Sequence, residues 1–433
     1  MQDHYDIAII GGGIMGACMA FFIAMKACKV ILIEQEKKIA FHSSSRNTGK
    51  VHAPFLYDPI KKKSISKAAF LGFDMLKKYC FSRSLPFKED GIILAATYDN
   101  AIDKLYKYME WGYSNGLRDY ELKLLSKEEL SKTEPNIRCL SALYCSRDAS
   151  TDYRAITEQL IEDAKLMGCK VILASKLKRI SSSNDHLILH TESGYVFADF
   201  IINAAGGSSL HIAHKTNVAT QYSDLHFRGE YWQAPAEYND LTKISVYSVP
   251  KYPEFPFLDP HWIIRTDGRR EIGPNAVPVF GPYAYSWSIN IRNFLPKIIE
   301  TSFSGARKTF TDTQFLSLAR NELISSFSKR AMINRVREFL PQLNVNKFIR
   351  RATSGIRSCL VDSEGKFISD ILIAKTDRSL HILNNNSPGA TGSLPLAAKI
   401  VNRLIEEGHL RCSADQTNRS VLWDIKKIAE EIP

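Results

Sequence analysis

The feature that most constrains this fold is a glycine-rich turn near the N-terminus, set between two short apolar runs. The run that ends at Ile10 leads into Gly11-Gly12-Gly13-Ile14-Met15-Gly16, an apolar segment follows, and a second apolar run stops at Glu34. Strand, glycine turn, helix, strand and acid within about thirty residues are the pattern of a dinucleotide-binding βαβ unit. A glycine-rich turn in another kind of α/β protein is the alternative interpretation.

Each residue of the turn has its own role in this interpretation. Gly11 permits the tight turn, Gly13 lets the backbone approach a pyrophosphate, and Gly16 lets the helix pack on the strand. Ile14 and Met15 open the helix, whose unpaired N–H groups and partial positive charge face the phosphates. We expect the acid at the end of the second strand to accept hydrogen bonds from ribose hydroxyls.

A polar loop follows this unit, with the sequence His42-Ser43-Ser44-Ser45-Arg46-Asn47-Thr48-Gly49-Lys50-Val51-His52. Small hydroxyl residues and a glycine directly after the acid make a loop rich in backbone donors, suited to wrapping phosphates and a ring system. A purely structural serine-rich turn is the alternative. The candidate cofactor ligands in this loop are Ser43, Ser44, Ser45, Asn47, Thr48 and Gly49.

Two later strands also run into glycine turns. The apolar stretch from Phe200 leads to Ala205-Gly206-Gly207, and the stretch from Leu380 leads to Ser387-Pro388-Gly389-Ala390-Thr391-Gly392 before a final apolar helix. In a nucleotide-binding fold such turns bring the backbone close to the cofactor again, and a helix N-terminus stabilises negative charge. The predicted contacts are Ala205, Gly206, Gly389, Ala390, Thr391 and Gly392.

The composition of the chain is that of a large enzyme, and the distribution of its charge indicates which kinds of partner it can bind. The chain has 433 residues, 45% of them apolar, which is enough for two domains or one elaborated domain. Its net charge of +11 is concentrated in local runs such as Lys61-Lys62-Lys63, which are typical of a solvated surface. No stripe of lysine and aromatic residues indicates nucleic acid, so we expect none; peripheral contact with a membrane is the alternative use of the charge.

Cysteine usage and the N-terminus favour a cytoplasmic protein. The eight cysteines form no CxxC pair and no metal-like cluster with histidine, so we expect reduced thiols and no metal site. Asp3 and Asp6 replace the basic leader of a signal peptide, and the segment from Ala17 to Ala27 is too short to span a bilayer. A position peripheral to the inner face of a membrane is retained as an alternative.

Periodicity predicts the remaining elements. Helices are predicted at 64–81, 100–111, 127–132, 152–166 and 394–405; strands at 91–95, 171–173 (buried and parallel) and 200–204; and a hairpin from 186–191 and 195–197. Residues 217–345 differ in character. Aromatic- and proline-rich β segments, among them 247–257, precede polar helices from about 287 to 340, which suggests a domain inserted into the nucleotide-binding one.

Several further stretches have a particular sequence: Asn47–His52, Glu134-Pro135-Asn136, Asp152-Tyr153, Arg228–Trp232, Phe255–Leu258 with His261, Gly273–Val277, Ser354–Arg357 and Ser387–Thr391. These stretches and their order resemble the D-amino-acid-oxidase-like family of FAD enzymes, and within it the L-2-hydroxyglutarate dehydrogenase/oxidase group. The likeness extends from Tyr5 to about Glu407, and Lys50, Pro54 and Trp232 depart from the usual pattern of the group.

The resemblance implies an α/β fold with a Rossmann-type FAD-binding domain of the glutathione-reductase type. Its substrate (cap) domain, a mixed antiparallel β-sheet plus helices, is inserted into the FAD-binding domain. We expect the FAD-binding domain at 1–85, 146–216 and 346–410, the cap domain at 86–145 and 217–345, and a C-terminal tail at 411–433.

The resemblance also implies FAD as the cofactor and assigns roles to four side chains. Arg357 resembles the carboxylate-clamping arginine of the family, and a guanidinium matches a carboxylate bidentately as lysine does not. His52 and His261 are the candidate proton acceptors, because histidine titrates near neutral pH. Tyr231 is expected to hydrogen-bond the carboxylate. A surface arginine, structural histidines and core packing of the tyrosine are the respective alternatives.

The function these expectations favour is oxidation of a small anionic 2-hydroxy acid, with L-2-hydroxyglutarate giving 2-oxoglutarate as the leading case. Electrons would then pass to oxygen or to a quinone-linked acceptor. A second substrate carboxylate would need another cation, such as Arg228 or Lys50. The alternatives are an amino acid or amine oxidase or a glycerol-3-phosphate oxidase on the same scaffold, and a non-catalytic flavin-binding interaction protein.

Overall fold

The computed structural model describes residues 4–26, 28–183, 185–251, 255, 259–410 and 422–433. Its helices are α1 Ile14–Ala24, α2 Lys63–Ser82, α3 Ala101–Ser114, α4 Lys127–Ser131, α5 Tyr153–Leu166, α6 Ser209–His214, α7 Trp287–Ser302, α8 Ala306–Thr309, α9 Thr313–Phe327, α10 Lys329–Arg337, α11 Ser393–Glu406 and α12 Ile425–Glu431.

The strands of the first half are β1 His4–Ile10, β2 Val30–Ile33, β3 Lys50–Val51, β4 Phe87–Lys88, β5 Ile92–Ala96, β6 Leu122–Ser126, β7 Ser141–Cys145, β8 Ala149–Thr151, β9 Lys170–Ile172, β10 Leu177–Ser182, β11 Leu187–Thr191 and β12 Gly194–Asn203. Those of the second half are β13 Ser223–Gly229, β14 Trp232–Gln233, β15 Ser245–Ser248, β16 His261–Ile264, β17 Arg270–Gly273, β18 Val277–Val279, β19 Arg350–Arg351, β20 Gly355–Val361, β21 Leu372–Thr376 and β22 Ser379–Leu383.

Strand β1 lies at the centre of an eight-stranded sheet, in the order β10-β11-β12-β1-β2-β9, with β22 beside β12 and β21 beside β22. It pairs in parallel with β2 on one side and β12 on the other. Helix α1 is buried along all eleven of its residues, between the sheet and helices α5 and α11. An apolar helix without a polar face requires cover on every side, and this position provides it.

A second eight-stranded sheet has the order β19-β14-β17-β16-β15-β5-β7-β6. Most of its pairs are antiparallel, but β15 and β5 are parallel, with Val246 opposite Ile93. Strands from the predicted cap ranges 86–145 and 217–345 therefore share one sheet, and β19 joins it from outside both ranges. The chain also forms two three-stranded sheets, β18-β13-β20 and β3-β8-β4.

Helix ends agree with the prediction where the sequence carries a cap. Asp152 accepts hydrogen bonds from the backbone of Arg154 and Ala155 and so begins α5, and Ser126 with Glu129 forms a capping box at α4. Helix α1 begins at Ile14, directly after the glycine turn; Ala27 lies outside the described residues.

Four details of the sequence prediction were wrong. The strand at 171–173 is parallel as predicted but is the half-exposed edge strand β9, and the segments 195–197 and 200–204 are one continuous strand, β12. Strand β15 ends at Ser248, short of the predicted 257; the residues 252–254 and 256–258 of that segment lie outside the description. The helices after 287 exist, but α7 and α9 expose large apolar side chains and are not polar.

The C-terminal residues that the structure describes pack on the core around helices α1, α2 and α11. Trp423 contacts the rings of Phe21, Phe22 and Tyr79, and α12 packs against α11. Lys399 of α11 donates a hydrogen bond to the carbonyl of Ile432, 3.1 Å away. Residues 422–433 thus close one side of the core. Across the described parts of the chain, no helix has both the length and the apolar character needed to cross a bilayer.

Candidate active site

A cavity of about 760 Å³ runs from the glycine turn after β1 to the underside of the second large sheet. Its volume falls within the roughly 300–1,000 Å³ usual for cofactor and ligand sites. Its walls come from the β1–α1 turn, the polar loop 40–52, the turn after β12, the start of β20 and the turn before α11. All of these segments except the start of β20 were predicted from the sequence to contact a dinucleotide; the start of β20 was predicted to hold the substrate.

The glycine turn has the geometry that a close backbone approach requires. Gly11 has φ +109°, and a Cβ there would lie 2.6 Å from the carbonyl oxygen of Ala204, the residue after the neighbouring strand β12. A Cβ on Gly16 would lie 1.9 Å from the carbonyl oxygen of Gly11. Any side chain at either position would therefore push the helix away from the strand and deform the turn.

Polar side chains fix this turn from two sides. Ser44 Oγ accepts a hydrogen bond from the backbone of Ile14 at 2.9 Å, so the serine loop caps the start of α1. Glu34 lines the cavity, and its carboxylate accepts hydrogen bonds from the backbone of Gly12 and of Glu36. Burial raises the pKa of the Glu34 carboxyl, while these backbone donors act to lower it.

Most of the predicted cofactor ligands border the cavity. Four of them, Gly16, Ser45, Gly49 and Gly392, do not. Those that line the cavity are Gly11, Gly13, Ile14, Met15, Glu34, Ser43, Ser44, Asn47, Thr48, Ala205, Gly206, Gly389, Ala390 and Thr391.

The turn before α11 ties several walls together. Thr391 Oγ1 accepts a hydrogen bond from the backbone of His52 and lies 3.0 Å from the hydroxyl of Tyr153, which donates to the carbonyl of Lys50. A Cβ on Gly72 of α2 would lie 2.0 Å from the carbonyl oxygen of Thr391. The turn is thereby held in place from β3, α2 and α5 together.

All four predicted catalytic side chains line this one cavity. His52 follows β3, Tyr231 lies between β13 and β14, His261 opens β16, and Arg357 lies on β20. The serine loop is docked against the start of β20, because Ser43 Oγ donates to the carbonyl of Ile356 at 3.1 Å. The fold therefore brings together residues separated by as much as 305 positions in the sequence.

Burial and nearby cations keep both histidines neutral. Burial, the other histidine and the charges of Lys50 and Arg357 lower the pKa of His52 to about 3. Burial, Arg357 and Lys50 lower the pKa of His261 to about 4, against the opposing effect of the Asp259 carbonyl. Near neutral pH both imidazoles are thus uncharged proton acceptors.

The tautomer of His261 follows from its surroundings. Its Nδ1 lies 2.9 Å from the carbonyl oxygen of Asp259, which can only accept, so Nδ1 carries the proton. Its Nε2 is buried and has no hydrogen-bond partner among the described residues, and its ring stacks on Tyr247 at 3.8 Å. His52 Nδ1 is likewise buried without a partner in that part of the chain.

The two further cations expected for a second substrate carboxylate are already paired. The ammonium of Lys50 lies 2.8 Å from Asp90 and 2.8 Å from Asp148, all three side chains being almost fully buried. Arg228 forms an ion pair with Glu230 at 2.7 Å and does not line the cavity. The expectation that one of them serves a second carboxylate finds no support in these contacts.

Some lining residues were not singled out by the sequence. Tyr153 belongs to the Asp-Tyr pair quoted for the resemblance, and that pair was the available signal. Lys176, Lys178 and Lys215 line the end of the cavity near Glu34, but no local pattern marked them. Lys176 lies in the β9–β10 connection, Lys178 on β10 and Lys215 just after α6, and only the tertiary fold brings these segments together.

These residues fit a flavin adenine dinucleotide. The glycine turn lines the cavity at the start of helix α1, the setting in which pyrophosphates bind. Asn385 Oδ1, His52 Nδ1 and His261 Nε2 are buried cavity atoms without partners among the residues that the structure describes, as expected where a ligand completes a site. The fold and the site together define a flavin-dependent oxidoreductase.

Comparison with known families gives the same class. Residues 6–404 match the model of the DAO family, FAD dependent oxidoreductase, and this chain belongs to that family. It is therefore an FAD-dependent oxidoreductase, and the cofactor, the fold and the resemblance predicted from the sequence are confirmed.

Two curated relatives of similar length are both L-2-hydroxyglutarate dehydrogenases. L-2-hydroxyglutarate dehydrogenase from Indibacter alkaliphilus is 29% identical over 92% of this chain and 98% of the relative. The mitochondrial L-2-hydroxyglutarate dehydrogenase of Caenorhabditis elegans is 30% identical over 93% of both chains.

Solved structures share the fold at lower identity. L-alpha-glycerophosphate oxidase from Mycoplasma pneumoniae, with FAD bound, superposes with a TM-score of 0.74 at 20% identity, covering 93% of this chain and 95% of the other. Glycine oxidase from Geobacillus kaustophilus gives a TM-score of 0.69 at 17% identity, covering 97% and 98%. Likeness at this level concerns the architecture alone.

Proposed function

We propose that this enzyme oxidises L-2-hydroxyglutarate, or a closely similar small 2-hydroxy acid, to the 2-oxo acid, with oxygen or a quinone-linked acceptor as the final oxidant. The observation that carries the proposal is the meeting of Arg357, His52, His261 and Tyr231 in the cavity of the flavin-binding segments. The names of the relatives from Indibacter alkaliphilus and Caenorhabditis elegans support the choice of substrate.

Arg357 binds the substrate carboxylate in this proposal. Its guanidinium presents paired donors whose spacing matches the two oxygens of a carboxylate, so it fixes the orientation as well as the position of the substrate. Strand β20 holds Arg357 rigidly, because β20 pairs with β13 along its whole length. The carbon that carries the hydroxyl is thereby kept in one place relative to the histidines.

His261 accepts the hydroxyl proton of the substrate. Its protonated Nδ1 is fixed on the Asp259 carbonyl, so its Nε2 offers a lone pair into the cavity. The neutral His52 is the second acceptor available, and the buried hydroxyl of Tyr231 donates to the carboxylate. Burial raises the pKa of Tyr231 to about 12, so this hydroxyl keeps its proton. Bound FAD supplies the hydride acceptor that completes the oxidation.

Substrate-dependent bleaching of the bound flavin tests the proposal. Purified protein should be yellow, and under anaerobic conditions L-2-hydroxyglutarate should remove the flavin absorbance, whereas D-2-hydroxyglutarate should not. Bleaching by amino acids or by glycerol 3-phosphate instead would assign the enzyme to those substrates. A flavin that none of these compounds reduces would contradict the proposal and favour a non-catalytic role.

Replacement of Arg357 by alanine should raise KM for the hydroxy acid about 10- to 100-fold, since charge-assisted hydrogen bonds contribute about 1.5–3 kcal/mol. Arg357→Lys should recover only part of this loss, because an ammonium cannot bind bidentately. Steady-state kinetics and the flavin content of each variant measure the effect. Alanine at the exposed Arg350 is the matched control, and a KM for Arg357→Ala equal to that of this control would remove Arg357 from the site.

A further inference from the structure

Helix α7 buries polar side chains and exposes large apolar ones, the reverse of the usual arrangement. Of its sixteen residues only Asn290 and Lys297 are buried. Asn290 accepts a hydrogen bond from the backbone of Phe280, and Lys297 forms ion pairs with Asp224 and Glu300. These specific polar contacts fix the rotation of the helix, so its opposite face must point to solvent.

The outward face of α7 consists of large apolar side chains. Ile291, Leu295 and Ile299, spaced four residues apart, are 71%, 64% and 52% exposed. A helix places residues with this spacing in one row along its surface. The α7 face, as the term is used below, comprises Trp287, Ile291, Phe294, Leu295, Ile298 and Ile299.

Helix α9 extends the apolar surface. The ring of Trp287 stacks on Phe327 at 5.4 Å and so joins the start of α7 to the end of α9. Helix α9 also exposes Leu323, Ile324 and Phe327. Phe303, which follows the end of α7, is exposed as well. Contiguous apolar surface of this kind on a folded protein marks a contact with a membrane or a partner.

The charges of this segment favour an anionic occupant. Between residues 287 and 330 five basic side chains are exposed and only two acidic ones. Glu300 is paired with Lys297, and Lys308 with Glu364 outside this stretch, so four of the exposed basic residues face one exposed acid that is not in these pairs. The exposed basic residues are Arg292, Arg307, Lys308, Arg320 and Arg330, and the acidic ones are Glu300 and Asp312. In a two-fold dimer through this face, the cations would meet their own copies.

We propose that the α7 face docks on the surface of a membrane that contains anionic lipids. A helix with an apolar face and a basic border lies in the plane of such a surface, with its apolar side chains at the boundary of the acyl chains. Anionic head groups pair with the flanking arginines and lysines. The contact is peripheral, and it depends on neither the identity of the substrate nor the chemistry at the flavin.

Vesicle flotation of the FAD-loaded, full-length protein tests this docking. The wild type should float with vesicles of phosphatidylcholine and phosphatidylglycerol, and much less with phosphatidylcholine alone. The variant Leu295→Glu/Ile299→Glu should partition at least about tenfold more weakly, because it places two charges in the apolar row. High salt should weaken the binding of the wild type, since it screens the basic border.

The matched control is Leu166→Glu/Ile349→Glu, which makes the same two replacements at exposed sites, 76% and 81% accessible, outside the α7 face. It should float like the wild type. Flavin absorbance and the thermal midpoint verify that both variants are folded. A wild type that floats with neither vesicle, or equal loss in the two variants, would overturn the proposal. So would a wild-type dimer in light scattering that Leu295→Glu/Ile299→Glu dissociates, because a second copy would then cover the face.

Discussion

Replacing His261 with asparagine should slow the reduction of the flavin by the hydroxy acid about 10²- to 10⁴-fold, the usual contribution of a general base. The expectation follows from the fixed tautomer, in which Nδ1 donates to Asp259 and the buried Nε2 is left to accept a proton. Asparagine retains a donor for the carbonyl but has no basic nitrogen. Anaerobic rapid mixing, followed by flavin absorbance, measures the rate directly.

The low pKa of His261 also predicts how the reaction depends on pH. With a pKa of about 4, His261 is neutral and able to accept a proton throughout the range above pH 5, and it loses this ability only as the pH falls through about 4. The kcat/KM of the wild type should therefore show no loss near pH 6.5 from this group. Asparagine at His52 is the companion variant, and a larger loss there than at His261 would transfer the role of base to His52.

Replacing Lys50 with methionine should lower the free energy of unfolding by about 3–5 kcal/mol, the cost of leaving a buried charge without its partner. The lysine is fully buried between Asp90 and Asp148, with Ser150 Oγ 3.2 Å from its ammonium. Burial acts to lower the pKa of Lys50, but the two carboxylates outweigh it and raise that pKa. Without the ammonium, two buried carboxylates face each other. Urea unfolding measures the difference.

The sign of the pH effect gives a second test. Burial already raises the pKa of Asp148 to about 6, and removal of Lys50 should raise it further. A carboxyl whose pKa is higher in the folded state contributes most to stability below its unfolded value, and this contribution is lost as the pH rises through the folded pKa. The defect of Lys50→Met should therefore be larger at pH 8 than at pH 5.

Two variants serve as controls for Lys50→Met. Lys77 is half-exposed and lies 2.7 Å from Glu89. Its replacement by methionine should lower the free energy of unfolding by less than about 1 kcal/mol. Asparagine at both Asp90 and Asp148, added to Lys50→Met, should restore part of the stability. If the triple variant were no more stable than Lys50→Met alone, the defect would come from packing and not from unpaired charge.

Local pattern was sufficient for the N-terminal half of the site. The spacing of the glycines and Glu34 predicted β1, α1 and β2, because each of these elements is determined by neighbours in the chain. Capping residues such as Asp152 placed helix ends to within a residue. The identification of Arg357 with a carboxylate clamp came instead from resemblance, and its role remains a prediction that the variants above can test.

What could not be predicted depends on contacts between distant segments. The parallel pairing of β15 with β5 joins positions about 150 residues apart, and no periodicity encodes such a partner. From the sequence, Lys50 was a candidate cation for a substrate carboxylate. In the fold it forms ion pairs with Asp90 and Asp148, which are distant from it in the sequence. In α7 two buried polar residues bind partners on β13 and before the helix, while apolar residues face the solvent. The prediction of a polar helix from composition was therefore wrong.

The residues that line the cavity come from both early and late parts of the chain, the first being Ile10 and the last Thr391. The central strand β1 also pairs with β12, which is synthesised almost 200 residues later. During synthesis the first βαβ unit must therefore leave the ribosome with one edge unpaired, and loading of the coenzyme can follow only when nearly the whole chain has emerged.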